Sequence, residues 1–156
     1  MKRPAVTIIP FEKEYTECFA KLNLEWLETY FVVEDYDRKV LENPQKYILD
    51  EGGHIFFALV GGQVAGTVAL IYRGDEGFEL SKMAVTKEFQ GLRIGQKLMY
   101  ACIHFAGQQS FRRLFLDSNT ILTPAINLYR KVGFREIPVP GSTPYARCNI
   151  RMELLV

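Results

Sequence analysis

The stretch KEFQGLRIGQKLMYACIHFA, residues 87–106, joins a glycine-bearing segment to an amphipathic helix. Apolar residues in its second half recur at the three- and four-residue steps that place side chains on one helix face: Ile94, Leu98, Ala101, Cys102 and Phe105. Because the first amides of a helix lack internal partners and carry the positive end of the helix dipole, a preceding glycine-bearing loop can bind phosphate. We therefore interpret QGLRIG, residues 90–95, as a candidate pyrophosphate-binding loop, with an ordinary exposed turn as the alternative.

Composition limits the classes of protein to which the chain can belong. It has 156 residues, 48% of them apolar and 24% charged, and a formal net charge of +1. These values predict a single domain over residues 1–156 and give no reason to expect nucleic acid or a membrane as a partner. The N-terminal residues contain no apolar run of signal-peptide length, so we expect a cytoplasmic protein.

The three cysteines, Cys18, Cys102 and Cys148, are widely spaced along the chain. Each lies in an apolar pattern, and the sequence has no CxxC or paired Cys/His spacing of the kind that binds metals. We therefore expect three buried, reduced thiols and no metal.

Hydrophobic periodicity predicts a mixed α/β (α+β) fold in which helices flank a central, mostly antiparallel sheet. The order of elements indicated by the periodicity is β-α-α-β-β-β-α-β-α, followed by a closing strand. Residues 54–60 and 64–72 form a hairpin in this interpretation, and residues 77–85 add a third strand. The last strand is predicted over residues 146–156, where apolar and polar residues alternate.

Two motifs give the chain a resemblance to the GNAT superfamily of acetyl-CoA-dependent N-acetyltransferases. The family's phosphate motif, [RQ]-x-x-G-x-[GA], lies between a strand and a long helix, and QGLRIG matches it in register at Gln90, Ile94 and Gly95. A second family pattern, A-x-x-L-Y-x-K-x-G-F, is filled at every fixed position by AINLYRKVGF, residues 125–134. The element order also agrees: the resemblance implies β-α-α-β-β-β-α-β-α-β-β, with more than one closing strand. It therefore covers nearly the whole chain.

The resemblance implies acetyl-CoA as cosubstrate and identifies the residues expected to contact it. These are Met83, Val85, Gln90, Gly91, Leu92, Arg93, Ile94, Gly95, Gln96 and Asn119. In relatives the third strand of the hairpin region pairs with pantetheine as an added strand would. By that alignment Met83 and Val85 hold pantetheine and the Met83 N–H stabilises an oxyanion. Strand alternation also predicts that residues 79, 81, 83 and 85 share one face.

The chain departs from the family pattern at two positions. Arg93 stands where the family has its first motif glycine. It is compatible with helical angles in the first turn, and its guanidinium can reach a phosphate; alternatively, it points to solvent. Many relatives also have a pantetheine-binding asparagine seven residues before the motif tyrosine, where this chain has Leu122, whereas Asn119 lies ten residues before it.

The chemistry of acetyl transfer defines the catalytic roles to be filled. An alkylammonium has a pKa of about 10.4, so only roughly one molecule in two thousand is a neutral nucleophile at pH 7. Direct attack on a thioester therefore benefits from a base for the ammonium and an acid for the departing thiolate. The resemblance implies Tyr129 as the acid and Glu79 as the base. The alternatives are a tyrosine packed in the core and a surface carboxylate on a half-exposed strand.

The acceptor region is less clearly marked in the sequence. Glu34, Asp35 and Asp37 form an acidic cluster. They could lie in a solvated loop, cap the following helix through Asp35 or Asp37, or attract a cationic amine. Tyr145 and Arg147, near the last strand, could line the same cleft or be ordinary strand residues.

Together these features predict an N-acetyltransferase acting on a primary amine of a small molecule or peptide. Exposed edge strands would also permit a homodimer. The alternative is a non-catalytic acyl-CoA-binding or regulatory module with the same fold. A structural interaction domain is a third interpretation, but it leaves the coincidence of the motifs at residues 87–95 and 125–134 unexplained.

Overall fold

The computed structural model describes residues 4–109, 112–141 and 145–156. Within these ranges it contains seven strands in one sheet and four α-helices. The strands are β1 (Val6–Pro10), β2 (His54–Val60), β3 (Gln63–Tyr72), β4 (Phe78–Val85), β5 (Arg113–Ser118), β6 (Arg135–Ile137) and β7 (Ile150–Leu155). The α-helices are α1 (Thr16–Tyr30), α2 (Asp35–Glu42), α3 (Ile94–Gly107) and α4 (Thr123–Lys131). Shorter helical turns cover Lys13–Tyr15, Gln45–Leu49, Gly74–Glu76 and Lys87–Phe89.

The sheet confirms the predicted mixed α/β architecture and the predicted order of elements. Its strands lie in the order β1-β2-β3-β4-β5-β7-β6, and every neighbouring pair is antiparallel except β4 and β5. A parallel pair needs a crossover connection, and α3 provides it between β4 and β5.

The last strand is shorter than predicted. It begins at Ile150, because the residues before it form a turn in which the Cys148 N–H donates to the Tyr145 carbonyl at 3.2 Å. The predicted polar face is also partly buried. The Arg151 side chain is 6% exposed, since it donates two hydrogen bonds to Asp117 on β5, at 2.7 and 2.9 Å, and lies over the Phe115 ring.

Each face of the sheet packs against a different pair of helices. The buried residues of the face covered by α3 and α4 include Val68, Leu70, Leu80, Leu98, Met99, Leu114, Leu116 and Ile126. Those of the face covered by α1 and α2 include Phe19, Leu27, Val40, Leu41, Ile48, Phe57, Ala69 and Ile71. The amphipathic patterns of the helices are therefore satisfied on opposite sides of one sheet.

A β-bulge in β4 corrects the prediction that residues 79, 81, 83 and 85 share one face. Ser81 pairs with Ala69 and Ala84 pairs with Thr67, so two residues of β4, Lys82 and Met83, lie opposite a single residue of β3. Lys82 has a φ of 54°, in the left-handed region. The extra residue reverses the alternation of side chains between the two faces.

The bulge thus divides the predicted site residues of β4 between the two faces of the sheet. Glu79 and Ser81 are paired with residues of the face covered by α1 and α2. Met83 and Val85 instead pack against the core under α3 and α4.

Strands β4 and β5 separate after a short contact. They pair at two positions, Phe78 with Leu114 and Glu79 with Phe115. Beyond these pairs the ends of the strands border a cleft, with residues 80–83 on one side and residues 116–118 on the other. The backbone of β4 is therefore free of β5 from Leu80 onward.

The cysteine prediction is partly correct. None of the three, all within the described residues, forms a disulfide. Cys102 is buried in the core, and burial strongly raises the pKa of its thiol. Cys18 and Cys148 are partly exposed, contrary to the prediction.

The close approach of α3 to β3 depends on Gly66. A Cβ atom there would lie 2.9 Å from Ile94 Cγ2 and 3.2 Å from Leu98 Cδ1. We expect Gly66→Ala to displace the first turns of α3 and lower the free energy of unfolding by about 1–3 kcal/mol, the usual effect of overpacking. Gly107→Ala is the control, because a Cβ there meets no heavy atom within 4 Å. Urea denaturation measures both; equal midpoints for the two variants would contradict the expectation.

Candidate functional site

The cleft between β4 and β5 collects side chains from five parts of the fold. Asn23, Trp26, Leu27 and Phe31 come from α1 and its end, residues 80–83 from β4, and residues 116–119 from the end of β5. Tyr129 comes from α4, and Tyr145, Arg147 and Cys148 come from the turn before β7. The wall is thus aromatic near α1 and charged near Lys82 and Arg147.

Tyr129, the predicted acid, lines this cleft. It lies on α4, whose end is fixed by a hydrogen bond from the Phe134 N–H to the Tyr129 carbonyl at 2.9 Å. Burial raises the pKa of Tyr129 to about 12, while a hydrogen bond with the Ser118 side chain opposes that shift. The phenol is therefore fully protonated at neutral pH and can donate a proton or a hydrogen bond into the cleft.

Glu79, the predicted base, is in a different environment from the one expected. Its side chain is 2% exposed, so it is not a surface carboxylate on a half-exposed strand. Arg73 approaches it with Nε at 2.9 Å and Nη2 at 2.8 Å, and Arg73 also donates to the Tyr36 hydroxyl at 3.0 Å. Glu79 is absent from the described residues that line the cleft.

A second concave surface, the α3 groove, lies at the N-terminus of α3. It is lined by Val85, Phe89, Gln90, Gly91, Arg93, Ile94, Gly95, Gln96 and Leu128. All the predicted loop residues except Leu92 are in this set; Leu92 packs instead against the core under α3. The loop therefore presents the start of a helix to an open groove, as the sequence predicts for an anion-binding loop.

Arg93 adopts a conformation different from the one we expected. It precedes α3 with φ 57° and ψ 32°, in the left-handed region rather than in helical angles, and it is exposed. Left-handed geometry costs a residue with a Cβ roughly 1–2 kcal/mol, and glycine avoids that cost. This geometry explains physically why a glycine suits the position.

The remaining predicted residues lie at or near the junction of the cleft and the α3 groove. Met83 lines the cleft, and Val85 lines the groove. Asn119 lies at the end of β5, where its Nδ2 donates to the Arg147 carbonyl at 2.8 Å and its Oδ1 accepts from the Ile121 N–H at 3.0 Å. Asn119 therefore holds the turn before β7 against β5.

A buried ionic network that the sequence did not predict lies beside the cleft. Asp37, with no exposed surface, accepts from Arg147 Nη1 at 2.8 Å, Arg147 Nη2 at 2.9 Å and Lys82 Nζ at 3.2 Å. Arg147 Nη1 also donates to Glu34 at 2.8 Å. We define the ionic network as Glu34, Asp37, Lys82 and Arg147. It joins α2, β4 and the turn before β7.

The acidic cluster of the sequence therefore has a specific role. Glu34, rather than Asp35 or Asp37, occupies the N-cap of α2, and Asp37 completes a capping box by accepting from the Glu34 N–H at 3.0 Å. Asp35 is exposed. Because Arg147 donates to both Glu34 and Asp37, and Lys82 Nζ also donates to Asp37, neither carboxylate is left unpaired to bind a cationic amine.

The network changes the acid–base properties of its members. Burial raises the pKa of Asp37, but hydrogen bonds and charge from Arg147 and Lys82 outweigh burial, so its pKa lies below the ordinary value. Burial lowers the pKa of Lys82 despite the opposing charge of Asp37. Burial, followed by the Glu79 charge, places the pKa of Tyr145 well above its ordinary value.

Comparison with known proteins identifies relatives over most of the chain. The family model described as "Acetyltransferase (GNAT) family" matches residues 17–134. "Probable N-acetyltransferase camello" of Xenopus tropicalis is 33% identical over 101 residues, 64% of this chain and 46% of that protein. "Uncharacterized N-acetyltransferase YjgM" of Escherichia coli (strain K12) is 28% identical over 112 residues, 67% of this chain and 66% of that protein. The chain spans about half the length of the camello proteins it matches.

Solved structures agree with the fold. A GNAT-family acetyltransferase from Staphylococcus aureus Mu50 superposes with a TM-score of 0.85 at 27% identity, covering 96% of this chain and 98% of that one. The PaiA N-acetyltransferase of Thermoplasma acidophilum, solved in complex with coenzyme A, has a TM-score of 0.76 at 16% identity, covering 97% of this chain and 99% of that one.

Among the described residues, no helix has both the length and the apolar character needed to cross a bilayer. The same residues contain no cluster of three or more potential metal ligands.

The ionic network leads to a stability prediction with a defined pH dependence. Asp37→Asn leaves Lys82 and Arg147 without their shared carboxylate, so we expect the free energy of unfolding to fall by about 3–5 kcal/mol. The folded-state pKa of Asp37 lies below its ordinary value of 3.8. Its stabilisation is therefore complete above the unfolded-state pKa and is lost as pH falls through the folded-state pKa.

The difference in unfolding free energy between the unaltered protein and Asp37→Asn should thus stay constant from about pH 7 to pH 5 and shrink below about pH 4. Chemical denaturation across this range measures it. Asp35→Asn is the matched control at an exposed position in the same helix turn, and it should change stability by less than about 1 kcal/mol. A difference in unfolding free energy that stays the same below about pH 4 would contradict the role given to Asp37.

Proposed function

Because the chain belongs to the GNAT acetyltransferase family, we propose that it transfers an acetyl group from acetyl-CoA to a primary amine. The observation that carries this proposal is the adjacency of the cleft and the α3 groove. Met83 lines the cleft and Val85 the groove, while Leu128 lines the groove and Tyr129 the cleft. One ligand could therefore extend from the loop at α3 to the Tyr129 phenol.

The residues of the α3 groove fit a coenzyme with a pyrophosphate. A Cβ at Gly95 would lie 4.0 Å from both Leu128 Cδ2 and Met83 Cε, which is ordinary contact, so no protein atom requires glycine there. In our proposal the space beside Gly95 belongs to the ligand. The first amides of α3 would hold the phosphate groups, and the β4 backbone beyond Leu80, which β5 leaves unpaired, would hold the pantetheine arm. The coenzyme A complex of the Thermoplasma protein of the same fold supports this fit.

Acetyl-CoA would supply an activated acetyl thioester, and the protein would position the amine against it in a ternary complex. The Met83 N–H would stabilise the developing oxyanion. The pKa of Tyr129, about 12, exceeds that of a thiol, about 8.5. Tyr129 would therefore first donate a hydrogen bond to the developing thiolate. Tyr129 would then transfer its proton to the thiolate, and the new amide nitrogen would give up a proton that restores the phenol.

The role of Glu79 as base stays a prediction in this scheme. The Arg73 pair and the position outside the cleft require Glu79 to act through an intervening water. Tyr129 has the more direct support, since its side chain lines the cleft.

Coenzyme binding and amine-dependent release of coenzyme thiol test the proposed function. A ligand at a hundred times its dissociation constant adds about 2.7 kcal/mol, which for this size of protein raises the melting temperature by roughly 5–10 °C. We expect acetyl-CoA to produce such a shift, and a panel of primary amines to include acceptors that release free thiol. No shift would contradict the proposal. Tight coenzyme binding without any acceptor would instead support the alternative of a non-catalytic acyl-CoA-binding module.

Tyr129→Phe tests the proposed acid while keeping the ring and its packing. We expect turnover to fall by about a hundredfold or more, the usual effect of losing a positioned proton donor. The dissociation constant of acetyl-CoA should change little. The control is Tyr72→Phe, which removes the hydroxyl of an exposed tyrosine on β3. This variant should be as active as the unaltered protein. Normal turnover in Tyr129→Phe would remove the phenol from the mechanism.

A further inference from the structure

Lys82 brings a buried amine to the wall of the cleft. Its side chain is 4% exposed, and its Nζ lies 3.2 Å from Asp37 Oδ1 and 3.5 Å from the Tyr145 hydroxyl. The Nζ also lies 4.7 Å from the centre of the Tyr145 ring and 5.7 Å from that of Tyr36. Lysines are seldom buried, and this one lines the same cleft as Tyr129.

Lys82 Nζ faces one carboxylate, and that carboxylate is shared with Arg147, which also pairs with Glu34. Asp37 on α2 is the carboxylate that contacts it, and both oxygens of Asp37 are also engaged by Arg147. Glu79, on β4 itself, is paired with Arg73. Tyr36 and Tyr145 contribute neutral rings and hydroxyls. A protonated Lys82 therefore shares one carboxylate with a permanently charged guanidinium, in a site from which most water is excluded. The neutral form of the amine is therefore favoured more strongly in this site than it is for a lysine exposed to solvent.

Of the two candidate bases, Lys82 is the one that lines the cleft. Lys82 lines the cleft, whereas Glu79 is held by Arg73 outside it. The left-handed bulge conformation directs the Lys82 side chain to the acceptor side of the sheet, while the next residue, Met83, packs towards α3. Resting on the proposed function, we propose that Lys82 in its neutral form is the general base that removes a proton from the acceptor ammonium.

The protons balance over one turnover. An N–H bond of the acceptor ammonium breaks and its proton binds Lys82 Nζ, which leaves a lone pair on the acceptor nitrogen. That pair forms the bond to the acetyl carbon; the carbon–sulfur bond breaks and its electrons go to sulfur. Sulfur takes the Tyr129 phenolic proton, and the second proton lost by the new amide nitrogen restores the phenol. Lys82 then releases its proton to solvent after the products leave, so one proton is released per acetyl group transferred.

Two probe amines of nearly equal shape can distinguish a catalytic role of Lys82 as a base from a purely structural role. Phenethylamine is an ammonium at neutral pH, whereas in O-benzylhydroxylamine the adjacent oxygen makes the amine weakly basic, so it is already neutral. Both carry a phenyl ring suited to the Trp26, Phe31 and Tyr145 side of the cleft. A lost base should slow acetylation of the first amine and leave the second unaffected.

Lys82→Met removes the base, and Lys82→Arg places a hydrogen-bond donor beside Asp37 that stays protonated near neutral pH and so cannot accept a proton. With phenethylamine at pH 7 we expect both variants to lose about a hundredfold or more in rate. With O-benzylhydroxylamine we expect less than about a threefold change, since no proton has to be removed before attack. The rate of Lys82→Met with phenethylamine should also rise about tenfold per pH unit, following the fraction of neutral amine.

The comparison of two substrates in one preparation keeps the test valid if a variant is less stable. Lys21→Met, at an exposed lysine of α1, is the control for charge removal and should match the unaltered protein with both amines. Equal losses with both amines in Lys82→Met would assign Lys82 a structural role and overturn the inference. A selective loss in Glu79→Gln but not in Lys82→Met would assign the base to Glu79 and also overturn it. Acetylation of none of the amines, neither these two nor any of the panel of primary amines, would overturn the proposed function, and the inference with it.

Discussion

The extra residue in β4 determines which side chains reach the cleft and which reach the core. An uninterrupted strand would send residues 79, 81, 83 and 85 to one face and Lys82 to the other. The bulge gives Lys82 a left-handed φ and reverses this pattern halfway along the strand. Glu79 and Ser81 therefore face the α1 side, and Met83 and Val85 face the α3 side. The same strand therefore presents side chains from its first half to one face of the sheet and side chains from its second half to the other.

The ionic network holds together the parts of the structure on the Lys82 and Arg147 side of the cleft. Asp37 accepts hydrogen bonds from three segments: from the Glu34 N–H at the start of α2, from Lys82 on β4, and from Arg147 in the turn before β7. Removing these groups from water is costly, and their mutual hydrogen bonds offset that cost only if the geometry is kept. Among the described residues, no buried side-chain nitrogen or oxygen is left without a partner. The network therefore favours one arrangement of the three segments.

The sequence predicted the elements well because their signals are local. The helix period around Leu98 and the apolar run of residues 54–60 correspond to α3 and β2. The predictions that failed depend on contacts between distant residues. Nothing in the sequence around Lys82 indicates a bulge, and burial of Glu79 follows from Arg73, which becomes its partner only when β3 and β4 pair. The capping role of Asp37 was open from the sequence, but its pairing with Arg147, 110 residues away, was not visible.

The short contact between β4 and β5 has a consequence for how the molecule folds and fluctuates. Strands β1 to β4 form a block joined by consecutive antiparallel pairs, and β5, β6 and β7 form another. Two residue pairs and the crossing α3 join these blocks in the sheet. Cooperative units of a protein often coincide with such blocks, and each opens with its own free energy. The amide protons of the two blocks are thus expected to exchange with solvent as separate groups.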